Sequence, residues 1–187
     1  PGQEGGNSVA AVLAGEVSPS GHLPMTIPVR YADVPAQNFP TNVPETGLNQ
    51  SYEHYSTSVK YTDIPNIDYT DYEEDIYVGY RYYATAGVPV SYPFGFGLTY
   101  SDFELSDLKL ERDGERITAS VQVRNVGKRP AKQVVQLYAS APEGTPDRPV
   151  VELKGYCKTA TLRPSESCRV SIVLRIDDLA IWQGGKT

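Results

Sequence analysis

A run rich in proline and glycine, Pro93–Tyr100 (PFGFGLTY), divides the chain into two kinds of sequence. Before the end of this run the chain contains every tyrosine except Tyr138 and Tyr156, together with many turn-forming residues. After it, short stretches alternate apolar and polar residues. Proline fixes φ and glycine tolerates positive φ, so the run predicts a tight turn. Its aromatic side chains predict that this turn is anchored in a core, at a buried junction between two structural units.

The second half carries a strand pattern. Alternating apolar positions, separated by turn residues such as Asp113-Gly114, are found in three runs: Ile117, Ala119, Val121 and Val123; Val135, Leu137 and Ala139; Val170, Ile172, Leu174 and Ile176. Period-two strands with no helical segments between them indicate an antiparallel β-sandwich. We expect residues from about 100 onward to form this sandwich, without helices longer than about one turn.

The first half predicts less regular structure. Val9, Ala10, Val12 and Leu13 form one apolar face of a helix, with Asn7 or Ser8 as its cap and Gly15 as its stop. The segment from Leu23 to Pro28 is typical of an edge strand. From about 30 to 75 there is almost no periodicity, which favours a long irregular segment wrapped over a larger partner surface.

Composition excludes several functions. The net charge is −6 and there is no basic run, which argues against nucleic acid or anionic membrane as a partner. No apolar stretch approaches the ~20 residues of a membrane span. No Cys/His cluster has metal-ligand spacing, so we expect no metal and no cofactor. No segment resembles a signal peptide, and cytoplasmic, periplasmic and secreted locations all stay open.

Seven motifs in order resemble glycoside hydrolase family 3, the β-glucosidase-like enzymes. The last three resemble that family's fibronectin type III-like domain. In chain order the motifs are PGQEGG at 1–6, PSGHLP at 19–24, YVGYRYY at 77–83, YPFGFGLTY at 92–100, NVG at 125–127, VVQLY at 134–138 and ELKGY at 152–156. One such motif is weak, but seven in sequence are specific.

The resemblance implies a mixed fold and a piece of an enzyme. Residues 1–30 would be the end of an α/β sandwich domain, 31–98 a long tyrosine-rich linker or wrapping segment, and 99–187 a fibronectin type III-like domain that stops before its last strand. Both ends therefore resemble cut ends. The partners would be the parent's remaining domains, namely the barrel and the rest of the α/β sandwich, and through them an oligosaccharide or β-glucoside substrate.

The resemblance also implies retaining hydrolysis, which needs two carboxyl groups about 5–5.5 Å apart around the sugar. The family motifs that carry the nucleophile and the usual acid/base are not found in this sequence, so no catalytic residue is carried over. Glu73, Glu74 and Asp75 are typical of a solvated acidic face. His22 and His54 have no serine or cysteine partner in a recognisable setting, which argues against a triad.

Three residues are candidates for a position near the substrate. Glu4 lies at a predicted helix start, where negative charge is favoured. Tyr77 and Arg81 lie in the YVGYRYY motif, whose tyrosines could form a sugar-stacking platform. The alternative, which we favour, is that Tyr77, Val78, Tyr80 and Tyr82 pin the linker across the α/β domain while Arg81 binds a carboxylate or a backbone carbonyl.

Three functional hypotheses follow. The leading one is the non-catalytic C-terminal part of a retaining β-glycosidase, most plainly a β-glucosidase, which by itself is inactive. The second is a stand-alone carbohydrate-binding or adhesion module. The third is a scaffold that stabilises a neighbouring catalytic domain, which is compatible with the first. The helix entry at residues 1–6 favours the first over the second, and β-glucosides, β-xylosides and N-acetylglucosaminides stay open as substrates.

The two cysteines are predicted to be free thiols. If the turn at Arg163–Glu166 centres a hairpin, Cys168 lies opposite about Thr161 and Cys157 opposite about Ile172. The two side chains are then about four residues out of register. That separation exceeds the ~4.4–6.8 Å between Cα atoms that a disulfide needs.

Overall fold

The computed structural model describes residues 3–35, 74–145 and 147–181. Before the run Pro93–Tyr100, hereafter the octapeptide, the described residues form two short helices, a 3-10 turn and a small antiparallel pair of strands. In chain order these are α1 (Gly5–Leu13), β1 (Ile27–Pro28), a 3-10 turn (Tyr31–Asp33), α2 (Tyr80–Ala86) and β2 (Val90–Tyr92). Within the described ranges, no helix is long and apolar enough to cross a membrane.

Helix α1 begins earlier than its sequence suggested. Its cap is Glu4, so the prediction that Asn7 or Ser8 caps it is wrong. Asn7 instead lies inside the first turn, where its Nδ2 donates a 2.5 Å hydrogen bond back to Glu4 Oε2. Gly5 and Gly6 therefore do not prevent the helix from starting at residue 5. The carboxamide of Asn7 bonds to the side chain of Glu4 and does not cap a backbone N–H. The predicted stop is confirmed, because Gly15 has φ +75 just after the helix.

The edge strand predicted between Leu23 and Pro28 is present only as the two residues of β1, which pair with β2. Helix α2 and strand β2 both lie inside the segment predicted to be an irregular linker. Most of that segment, residues 36–73 including His54 and Glu73, lies outside the described residues. The proposed domain bounds therefore stay a prediction.

The second half is an antiparallel β-sandwich, as predicted. One sheet has three strands in the order β3-β4-β7, and the other has two, β5-β6. The only helical turn after residue 100 among the described residues is a 3-10 turn, Ile176–Leu179. The strands are β3 (Phe103–Asp113), β4 (Arg116–Asn125), β5 (Val134–Ala139), β6 (Glu152–Lys158) and β7 (Ser167–Arg175).

Strand β3 does not show a clean alternation in the sequence because it contains a bulge. Its register with β4 shifts between Ser106 and Lys109, and Asp107 at the bulge has φ +52. Leu105 lies opposite Val123 and Leu110 opposite Ala119, so both leucines lie on the face of the sheet that bears the core. The bulge therefore changes which residues, odd or even, face inward.

The core lies between the two sheets. Its buried cluster consists of Val123, Val135, Leu162, Val170 and Ile172. Each such side chain stabilises the fold by roughly 1.5–3 kcal/mol through burial. The sheets approach closely at Gly155 of β6, where an added Cβ would lie 2.5 Å from Ile172 Cγ2.

The chain between β6 and β7 does not form the hairpin that the cysteine argument assumed. Cys157 pairs with Val135 on β5, and Cys168 pairs with Val123 on β4. Leu162, between them, bridges to Ala131, so the chain crosses from one sheet to the other instead of turning back on itself. The predicted register opposite Thr161 and Ile172 is therefore wrong. Both cysteines are nonetheless free, as predicted.

The β5-β6 sheet is the middle of three layers. One of its faces packs on the three-stranded sheet through Val135 and its neighbours. The other face carries Gln136 and Tyr138, which contact the octapeptide turn and α2. This second contact joins the two halves of the chain.

Candidate functional site

The backbone carbonyl of Gly95, in the octapeptide turn, is the centre of the junction. It lies 2.6 Å from His22 Nδ1 and accepts a 3.2 Å hydrogen bond from Gln136 Nε2. Because the carbonyl can only accept, the proton of His22 is on Nδ1 in this arrangement. Tyr138 Oη donates to Gln136 Oε1 at 2.6 Å, which fixes the orientation of the carboxamide. One peptide oxygen thus links both halves.

The two glycines of the turn are required by close approach. Gly95 has φ +77, and a Cβ there would overlap the carboxamide of Gln136. A Cβ on Gly97 would lie 2.8 Å from the carbonyl oxygen of Gly21. A side chain at either position would therefore displace a neighbouring element. The Gly-x-Gly pattern reflects close packing of Gly95 on Gln136 of the sandwich and of Gly97 on Gly21 and His22 of the first half.

Aromatic rings fill the space beside this hydrogen-bonded centre. Tyr80 of α2 stacks on Phe94 with ring centroids 4.5 Å apart, and meets Tyr138 edge-on at 6.2 Å. The hydroxyl of Tyr80 accepts a 2.7 Å hydrogen bond from the backbone N–H of Leu153 on β6. Burial raises the pKa of Tyr138 above its usual value, which keeps its hydroxyl a hydrogen-bond donor. Phe94 thus anchors the turn by stacking, but the prediction of a buried core is wrong, because Phe94 and Phe96 are half-buried and Tyr100 is exposed.

A half-buried carboxylate completes the contact between α2 and β6. Glu152 Oε1 lies 3.4 Å from Arg81 Nε, and its Oε2 lies 3.3 Å from Lys154 Nζ. The Arg81 contact is an ion pair without hydrogen-bond geometry, because Nε finds no acceptor in line. The interpretation that Arg81 binds a carboxylate is confirmed. Nearby, Thr85 Oγ1 of the same helix accepts from the backbone N–H of Val150 at 3.1 Å.

The structure gives the three candidate residues different contacts. Glu4 is exposed at the start of α1, where it contacts Asn7 of its own helix. Tyr77 is half-buried in the turn before α2, and its backbone N–H donates to the carbonyl of Glu74. Arg81 contacts the sandwich. The contacts of the described residues do not bring Glu4 together with Tyr77 or Arg81, and a position of any of them near a sugar stays a prediction.

Sequence reasoning missed three residues of the junction. Gln136 and Tyr138 were placed in a strand and a family motif, but not in a contact with the turn. Glu152 was likewise a motif residue without a role. For Gln136 and Tyr138 the sequence did contain a signal, because both alternate with the apolar residues of β5. A polar residue between apolar neighbours points to the face opposite the core. Nothing in the pattern indicates that this face is covered by a distant turn.

Three carboxylates of the described residues form ion pairs between or within elements of the fold. Asp33 pairs with Arg30, Glu152 with Arg81, and Asp107 with Arg169. Within the described ranges, no group of three His, Cys, Asp or Glu side chains is placed to hold a metal ion. The site is a packed joint between the two halves of the chain.

Two family models match this chain. Residues 1–100 match the glycosyl hydrolase family 3 C-terminal domain, and residues 133–187 match a fibronectin type III-like domain. The junction lies where the first match ends, and the residues that contact it from the sandwich, Gln136 to Glu152, lie in the second.

Relatives and solved structures agree with these matches. The chain is 42% identical to beta-glucosidase A of Butyrivibrio fibrisolvens, over 97% of this chain and 21% of that protein. It is similar to beta-glucosidase 3B of Thermotoga neapolitana, solved with glucose, at 43% identity and TM-score 0.81, covering 98% of this chain and 23% of that one. A Bifidobacterium adolescentis GH3 beta-glucosidase gives 32% identity and TM-score 0.76 over 98% of this chain and 24% of that one. The chain thus spans about a fifth of the length of such relatives, and it belongs to glycosyl hydrolase family 3.

Proposed function

We propose that this chain is the non-catalytic C-terminal part of a retaining β-glucosidase, and that it holds the fibronectin type III-like domain rigidly against the rest of the enzyme. The observation that carries the proposal is the shared acceptor at Gly95, whose carbonyl receives hydrogen bonds from His22 and Gln136. The stacked rings of Tyr80 and Phe94 and the half-buried carboxylate of Glu152 add further contacts between the two halves. Such a joint suits support better than catalysis.

The charges support a structural role as well. Retaining hydrolysis needs two carboxyl groups about 5–5.5 Å apart that face one anomeric carbon. The carboxylates noted above are paired with arginine or lysine, which lowers their availability as nucleophile or acid. On this proposal the reacting groups belong to parts of the enzyme that the chain does not include, together with the oligosaccharide or β-glucoside that they bind.

The stand-alone carbohydrate-binding module is less well supported. A sugar platform needs free aromatic faces, but Tyr80 stacks on Phe94, and Tyr83 is buried with its ring edge-on to Tyr82. These rings are used inside the joint. The YVGYRYY motif therefore supports a pinning role, although Tyr80 and Arg81 contact the β-sandwich and not the α/β domain that the pinning interpretation named.

The experiment compares this chain with a longer protein that carries its flanking domains. Both are assayed for nitrophenol release from the β-glucoside, the β-xyloside and the β-N-acetylglucosaminide. We expect no turnover by the chain alone and turnover of the β-glucoside by the longer protein. Turnover by the chain at a rate near that of the longer protein would refute the non-catalytic role.

A variant of the longer protein tests the support role. Gln136→Leu removes the hydrogen bond to Gly95 but leaves every reacting group in place, so we expect kcat to be retained while activity is lost at a lower temperature. Lys128→Ala, at an exposed position outside the joint, is the matched control. Equal heat inactivation of the two variants would contradict the proposal.

A further inference from the structure

The C-terminal end of α1 is held by two side chains from the second half of the chain. Tyr100 Oη donates a 2.9 Å hydrogen bond to the carbonyl of Val12, and Arg129 Nη1 donates a 3.1 Å hydrogen bond to the carbonyl of Gly15. The last carbonyls of a helix lack partners within the helix, and a positive charge is favoured beside them. The two side chains therefore supply a donor and a charge where the end of a helix needs them.

Helix α1 does not supply these groups itself. It has nine residues, and its last turn contains no basic residue. Two of the nine are Gly5 and Gly6, and glycine disfavours a helix. Helices shorter than about 12–15 residues are marginal in isolation. The helix thus depends on groups from elsewhere in the chain, and Arg129 follows Gly15 by 114 residues.

Arg129 lies in a loop between β4 and β5 whose backbone is fixed by the sandwich. The carbonyl of Arg129 accepts a 2.8 Å hydrogen bond from Nδ2 of Asn125, which is fully buried at the end of β4. In the same loop, the backbone N–H of Gly127 donates to the carbonyl of Asp102 and to Oδ1 of Asn125. These anchors belong to the sandwich, so the guanidinium is positioned only when the sandwich is folded.

Tyr100 is fixed by the segment that follows α1. Its backbone N–H donates a 2.9 Å hydrogen bond to Ser18 Oγ. The guanidinium packs directly on the same turn of the chain, because a Cβ added to Gly15 would lie 3.0 Å from Arg129 Nη1. This cluster is a second contact between the two halves, made by other residues than the joint at Gly95.

We propose that Tyr100 and Arg129 form a cap for α1 that the sandwich half supplies, so that the order of residues 10–17 depends on the folded sandwich. The inference rests on the support role proposed above and names the helix that is supported. Residues 4–6 of the PGQEGG motif begin this helix, so the cap connects the sandwich to that motif through a single element. Arg129 is in this sense a positioning residue, which acts through α1.

Hydrogen exchange followed by NMR tests the cap at the amides of Ala14, Gly15 and Glu16, whose hydrogen bonds close the end of the helix. Arg129→Met keeps a long side chain but removes its donors, and Tyr100→Phe removes only the hydroxyl. We expect each variant to accelerate exchange at these three amides by about three- to tenfold, while the amides of β4 exchange at their wild-type rates. Arg129→Lys keeps a charged donor and should restore part of the protection.

Lys128→Met is the matched control, since Lys128 is the neighbouring residue and is also exposed. It should leave exchange at the end of α1 unchanged. Unchanged exchange in Arg129→Met, an equal acceleration in the control, or an equal acceleration of the β4 amides would each overturn the proposal, the last because the effect would then be global. Failure of the support role would be seen instead in the heat inactivation of the longer protein, so the two failures are distinguishable.

Discussion

Ser101 Oγ donates a 2.6 Å hydrogen bond to Oδ1 of Asn125, and both residues are buried. The same oxygen accepts from the backbone N–H of Gly127 at 3.0 Å. The carboxamide nitrogen donates to the carbonyls of Arg129 and Leu162 at 2.8 and 2.9 Å. Asn125 thus satisfies both lone pairs and both N–H groups inside the protein. It ties the segment before β3, the end of β4 and the crossing between the sheets to one side chain.

Replacing Asn125 should be severely destabilising. Asn125→Leu leaves the Ser101 hydroxyl and the Arg129 carbonyl without this partner. It also removes one of the two partners of the Gly127 N–H and of the Leu162 carbonyl, so we expect a loss of about 3 kcal/mol in the free energy of unfolding. Urea unfolding followed by circular dichroism measures it. Lys128→Ala, three residues later and exposed, should change that free energy by less than about 0.5 kcal/mol. A loss below 1 kcal/mol for Asn125→Leu would contradict this account.

Two glycines with positive φ should respond differently to alanine. Gly95 and Gly114 have φ +77 and +57, so both substitutions strain the backbone by about 1–2 kcal/mol. Only at Gly95 does the added methyl group also overlap Gln136, whereas nothing lies within 4 Å at Gly114. We expect Gly95→Ala to lower the melting temperature more than Gly114→Ala. Equal decreases in melting temperature would mean that the joint accommodates the added methyl group at Gly95 without a loss of stability.

The contact between Gly155 and Ile172 can be tested by a double-mutant cycle. Gly155→Ala alone forces a methyl group against Ile172 and should cost about 1–3 kcal/mol by overpacking. Ile172→Val shortens the opposing side chain but leaves its Cγ2 branch, whereas Ile172→Ala removes it. The coupling with Gly155→Ala should therefore be favourable and larger for Ile172→Ala. Additive effects would exclude a close approach of the sheets here.

The bulge of β3 should make a pH-dependent contribution to stability. The hydrogen bond from Arg169 holds the pKa of Asp107 below its usual value, with a further contribution from Lys109. Because this pKa is lower in the folded state, ionised Asp107 stabilises the folded protein at pH values above the unfolded-state pKa of about 3.9. The contribution is lost as the pH falls through the folded-state pKa. Asp107→Asn keeps a residue that tolerates positive φ and removes the charge. The difference in urea midpoint between wild type and variant should be constant from neutral pH to about pH 5 and shrink below about pH 3.9; a difference that grows in acid would refute the assignment.

Thiol chemistry should distinguish the two cysteines. Burial raises the pKa of Cys168, with a smaller effect from Cys157, so less thiolate is present to react at neutral pH. Denatured, unreduced protein should contain two titratable thiols. In the folded state Cys168 should be labelled slowly, as followed in the Cys157→Ala variant, and Cys168→Ala is the matched control. Fewer than two thiols in the denatured protein would indicate a disulfide.

Periodicity predicted the sandwich because β4, β5 and β7 each bury one face, which fixes alternate residues as apolar. The bulge at Asp107 hid β3, since it changes the inward parity midway along the strand. The hairpin error at the cysteines has another cause. The turn at Arg163–Glu166 follows from the local sequence. The strand after it, β7, pairs with β4 and not with β6, and this choice depends on long-range packing in the core that contains Leu162 and Ile172. The joint at Gly95 depends on residues 41 apart, Gly95 and Gln136, and no local pattern carries such a contact.

The order of the three-stranded sheet bears on how fast the sandwich assembles. β3 and β4 are joined by the short turn at Gly114 and Glu115, whereas β4 and β7 lie side by side with β5 and β6 between them in sequence. Bringing Asn125 and Ser167 together closes a loop of about forty residues, and contacts of such separation slow folding. The β3–β4 hairpin is thus the local seed, and β7 is the strand whose arrival completes the sheet. Until it arrives, Val121 and Val123 remain open to solvent and to wrong partners.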